Sequence, residues 1–166
     1  MDNVEYDRAA GHFMDVDGTL NNDGFVAIAR GFEIASRAIY LNNVTKGWWE
    51  DTNRNIGELL ALVHSEVSEA LEAYRDGDKL DEITYEYPSG ITSDQPTMLE
   101  SEVILGDCDP EEVVLGKPVG VASELADVII RILDMAEGLN IPVTQALIEK
   151  HQYNQTRAYR HGNKKA

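Results

Sequence analysis

Apolar residues recur at helical spacing in four stretches of the chain, and each stretch closes on residues that stop helices. Over 25–41, Val26, Ile28, Ala29, Phe32, Ile34, Ala35 and Ile39 recur roughly as a helix face should, and Asn42-Asn43 is the expected end. The strongest pattern runs over 56–75. There Leu59, Leu60, Val63, Val67, Ala70, Leu71 and Tyr74 follow i, i+3, i+4, i+7 spacing, and Asp76-Gly77-Asp78 stops it. A third stretch, 120–137, carries Val121, Leu125, Val128, Ile129, Ile132 and Met135 and ends at Gly138-Leu139-Asn140. Pro142 then sits where a helix's first turn tolerates proline, and a fourth helix is expected to about residue 157.

Two regions break this rhythm. Residues 1–24 have no helical period and contain DVDGTLNNDG, so an irregular N-terminal arm is expected. Residues 77–118 hold four of the five prolines and eleven acidic residues against Lys79 and Lys117. Segments 83–87 and 112–115 could pair as strands in this long acidic insert, which leaves room for a small β-hairpin. Residues 159–166 form a basic tail. The expected fold is all-α: one domain over 1–166, a bundle of four to five helices. Ile130 and Leu133 lie off the centre of the third helix's stripe. A helix apolar on more than one side needs a second partner, so a homodimer, or a tetramer built as a dimer of dimers, is expected.

Composition narrows the function. Thirty acidic and fourteen basic residues give a formal charge of −16, which argues against binding a nucleic acid polymer. No apolar run is long enough to span a bilayer, and the first residues lack a secretory pattern. The lone Cys108 cannot close an internal disulfide. These features point to a cytoplasmic protein without a membrane partner.

Glu66-x-x-Glu69 and Glu124-x-x-Asp127 each place two carboxylates on one flank of a helix. Like charges at a core edge repel, and a hard cation with oxygen ligands relieves the repulsion. Two antiparallel helices would bring all four acids into one groove. The stretches LLALVHSEVSEALEAYRDG and GVASELADVIIRILDMAEGLNIPVTQALIEKHQYNQTR resemble the MazG-like group of all-α nucleoside triphosphate pyrophosphohydrolases. The resemblance covers about 48–165 outside the insert. It implies Glu66, Glu69, Glu124 and Asp127 as ligands of Mg2+, with Mn2+ as a substitute, and Glu66 or Glu69 as catalytic carboxylates. It also implies hydrolysis of a (deoxy)nucleoside triphosphate to the monophosphate and pyrophosphate. Ser65 stands where the family usually has another glutamate, and Glu69 and Glu124 are further apart in sequence than is usual there.

Lys150-x-x-x-Asn154-x-x-Arg157 puts an amine, an amide and a guanidinium at i, i+4 and i+7, as phosphate contacts would require. Residues 150–166 hold five Lys/Arg and no acid, and the resemblance supports the same role. Trp48 and Trp49, just before the first acidic helix, are candidates for stacking on a base. His64 is assigned no role. Asp15-Val16-Asp17-Gly18-Thr19 matches the D-x-D-G-T nucleophile of haloacid dehalogenase-type phosphatases, but a poor strand precedes it and helices follow, so a turn is expected. Gly116-Lys117-Pro118 lacks the spacing of a phosphate-binding loop. The alternative to an enzyme is a catalytically silent helical dimer that binds a nucleotide or a protein partner.

Overall fold

A computed structural model describes residues 11–51, 53–104 and 111–158. The first ten residues of the arm, Cys108 and the 159–166 tail lie outside the described residues. The fold is mainly helical, with two small antiparallel sheets confined to the insert and its junction. The chain divides into two compact units: Asn53–Ile132, and the segments before and after it.

In the flanking unit, α1 (Asn22–Thr45) is capped by the Asn21 side chain, which accepts from the Gly24 amide at 2.9 Å. Asn42-Asn43 does not end it. The helix runs on to Thr45, whose hydroxyl donates to the Asn42 carbonyl, and Gly47 at φ 83° makes the turn instead. Local hydrogen bonding outweighs the weak helix preference of two asparagines. Before α1, residues 11–13 are helical, Met14 and Leu20 form an isolated bridge, and Asp15–Thr19 closes as a turn. The Thr19 hydroxyl, and after it the Thr19 amide that donates to Asp17 Oδ1, hold the Asp17 carboxyl below its ordinary range.

Helix α5 (Val143–Gln155) packs along α1. Its His151 ring lies 3.1 Å from the Gly18 carbonyl, and Gln155 donates to the Thr19 hydroxyl. Pro142 is the residue that precedes the helix rather than part of its first turn.

In the 53–132 unit, α2 (Ile56–Asp76) is capped by Asn55 at its start. Gly77, at φ 103°, closes it in the left-handed conformation that glycine adopts without strain. The insert follows with β1 (Thr84–Glu86), β2 (Thr92–Ser93), β3 (Thr97–Leu99), the one-turn α3 (Glu100–Val103), β4 (Val113–Leu115) and β5 (Lys117–Val119). One sheet has the order β2-β1-β5 and the other pairs β3 with β4. The two sequence-predicted strand segments are thus real, but each pairs with a different neighbour. Pro118 is tolerated because β5 is an edge strand. Tyr87 and Val103 are fully buried, and the Tyr87 hydroxyl donates to the Gln95 carbonyl at 2.7 Å. This long acidic segment therefore has a small core of its own, which corrects the all-α expectation.

Strand β5 leads directly into α4 (Val121–Gly138), whose last turns belong to the flanking unit. At that end Trp49 is pinned: its indole N–H donates to Asp134 at 2.9 Å, and its ring lies against Gly138 and tilts toward Tyr40. Leu133, which lies off the centre of the stripe, is buried at 3% exposure, while Ile130 is 38% exposed.

Candidate metal centre

The apolar stripe read on α2 is split in the structure. Leu59, Glu66 and Ala70 are buried, whereas Leu60, Val67, Leu71 and Tyr74 are exposed. At about 100° per residue, the exposed apolar row lies roughly 90° round from the buried one. Glu66 is consequently not at the edge of the buried face but within it, at 6% exposure. A carboxylate in that position requires a partner, and it has one: Arg131 of α4 donates from Nε to Glu66 Oε1 at 2.9 Å.

Glu124 and Asp127, half-buried on α4, meet Glu66 there. One oxygen from each of the three carboxylates lies within 4.8 Å of the other two, a group able to hold a metal ion. Glu69, the fourth expected ligand, is exposed and stands outside that close group. It still acts on it. Burial is the first cause that raises the Glu124 carboxyl above its ordinary value. The charges of Glu69, Asp127 and Glu66 follow in that order, and Lys117 offsets them in part. Glu66 meets Arg131 while Glu69 acts on the earlier Glu124, which is the order expected of antiparallel helices.

Sequence reasoning assigned no role to Arg131 or Lys117. Arg131 follows Asp127 by four residues, so its place on the acidic flank was legible. Its pairing with Glu66, 65 positions away, was not. Lys117 comes near Glu124 only because β5 runs straight into α4.

No protein-family model, curated protein or solved structure matches this chain.

The remaining candidates belong to the flanking unit. Lys150 and Asn154 are exposed on α5, and Lys150 lies 5.6 Å from the Tyr153 ring centre. Arg157 does not share their helix face. The helix stops at Gln155 because Thr156 turns back, its hydroxyl and amide both donating to the Tyr153 carbonyl. Trp49 is committed to packing at the end of α4, while Trp48 is 57% exposed and presents more of its ring to solvent. The Ser65 hydroxyl donates to the Leu62 carbonyl of its own helix.

Proposed function

We propose that the protein hydrolyses (deoxy)nucleoside triphosphates to the monophosphate and pyrophosphate, with magnesium bound by the α2–α4 carboxylates. The observation that carries this reading is the convergence of Glu66, Glu124 and Asp127, from two helices whose sequences resemble the MazG-like motifs. The donor set fits a hard cation: it offers carboxylate oxygens and neither sulfur nor imidazole. Bound there, Mg2+ or Mn2+ would neutralise phosphate charge and acidify a water.

Glu66, Glu124 and Asp127 would hold that cation. Glu69, exposed and electrostatically coupled to Glu124, takes the proton of the water that attacks the α-phosphorus. The bond from that phosphorus to the bridging oxygen breaks, and pyrophosphate leaves. Lys150, Asn154 and Arg157 are assigned to the phosphates on their chemistry and the family resemblance alone, and Trp48 is preferred over Trp49 as the base-stacking residue. A homodimer is part of the proposal, supported by the exposed apolar row on α2. A cytoplasmic location is part of the proposal; among the described residues no helix is long and apolar enough to cross a membrane.

Incubating the protein with a panel of NTPs and dNTPs plus Mg2+ and measuring pyrophosphate tests this directly. Release of orthophosphate alone would refute the reaction. No turnover with any nucleotide would favour the silent dimer, the reading that Ser65 supports.

A further inference from the structure

The carboxylate nearest the core of this site is not left to choose its own orientation. Glu66 is 6% exposed, and its Oε1 accepts from Arg131 Nε at 2.9 Å. Arg131 stands on the same flank of α4 as Glu124 and Asp127, and its side chain is 37% exposed. One helix thus supplies two of the three metal-competent carboxylates and also the group that holds the third.

We propose that Arg131 is the positioning residue of the metal centre: its guanidinium fixes the Glu66 carboxylate so that its other oxygen is available to a divalent cation. The proposal rests on the metal-site reading above.

Two physical effects of Arg131 on a bound cation have opposite signs, and this makes the idea decidable. As a bare positive charge near the site, the guanidinium repels a dication, so removing it would tighten metal binding. As an orienting partner, it spares Glu66 the cost of finding one rotamer among several, so removing it would weaken binding. Groups that orient metal-ligating side chains typically carry about 10–100-fold in metal affinity. A planar guanidinium presenting Nε–H is not reproduced by a lysine ammonium, which keeps the charge but not the directed donor.

The test is Mn2+ binding to the full-length protein, followed by the electron paramagnetic resonance of free Mn2+. The proteins compared are wild type, Arg131→Lys, Arg131→Gln, Glu66→Gln and the double variant Glu66→Gln/Arg131→Gln. The expected result is a loss of about 10-fold or more in affinity for both single Arg131 variants. The double variant should bind no more weakly than Glu66→Gln alone, because Arg131 acts through Glu66. Unchanged or tighter binding by Arg131→Gln would overturn the proposal, as would full rescue by lysine. Circular dichroism of each variant separates positioning from folding: loss of helix in both Arg131 variants would make the residue structural and also overturn it. If wild type binds Mn2+ and the Arg131 variants match it, this proposal alone fails. If wild type binds none, the metal reading fails with it.

Discussion

Glu124 concentrates the electrostatic cost of the acidic group. It is half-buried and faces three other carboxylates, and both effects hold its carboxyl above the ordinary value in the folded chain. A carboxyl raised above its unfolded value means that the native state binds more protons than the unfolded one. Glu124's own contribution to the stability of the metal-free protein should then be lost as pH rises through the carboxylate range, the reverse of an ion-paired acid. Glu124→Gln should raise the metal-free melting temperature at pH 7 and shrink the gain that Mg2+ gives wild type. For half-exposed charges the effect is under about 1 kcal/mol, or up to ~2–4 °C in a chain of this length. Differential scanning calorimetry with and without Mg2+ at pH 5 and pH 7 checks both signs. Glu69 behaves differently because it is exposed. Glu69→Ala should leave stability within about 0.5 kcal/mol while lowering pyrophosphate release by ~100-fold or more. Turnover unaffected by this change would exclude Glu69 as the base.

At the scale of elements, α2 has three roles on three faces. Leu59, Glu66 and Ala70 face inward, Glu69 faces the acidic flank, and Leu60, Val67, Leu71 and Tyr74 face out. Helix α4 likewise carries Glu124, Asp127 and Arg131 on one flank and ends against Trp49. That end is tightly packed, since a Cβ on Gly138 would overlap the Trp49 ring. Gly138→Ala should destabilise the protein by about 1–3 kcal/mol, although alanine favours a helix in isolation. Chemical denaturation measures the loss, and Trp49 fluorescence should report the displaced indole. A neutral or stabilising effect would show that this packing is not maintained in solution. The insert earns its place as an element too, since β5 fixes where α4 begins and brings Lys117 toward Glu124.

For the molecule as a whole, the exposed apolar row on α2 is a cost that the single chain leaves uncovered. Leu60, Val67, Leu71 and Tyr74 are each between 47% and 58% exposed, and a face of that kind usually marks an interaction site. Burying it against a second copy would remove it from water. Leu60→Glu combined with Leu71→Glu should convert a dimer to a monomer in size-exclusion chromatography with light scattering. Helicity in the isolated monomer should stay near that of wild type. A wild-type monomer at micromolar concentration would refute the dimer outright.

Periodicity was enough to find the four long helices, and Gly77 marked the end of α2 to within a residue, but α1 starts inside the expected arm and runs past Asn42-Asn43. The paired acids were legible for the same reason: i, i+3 spacing alone puts two carboxylates on one flank. What the sequence could not decide was rotation. Helical spacing shows that a helix has an apolar face. When the apolar residues spread over more than a third of the circumference, packing decides which part of that face is buried. Tertiary packing therefore buried Glu66 and Leu133, left Val67 outside, and supplied Arg131 as a partner from 65 residues away. It also built sheets from an acidic, proline-rich segment, because strand pairing depends on neighbours that local pattern does not name. The carboxylates were written in the chain; their meeting in one place, and the guanidinium that holds one of them, belong to the fold.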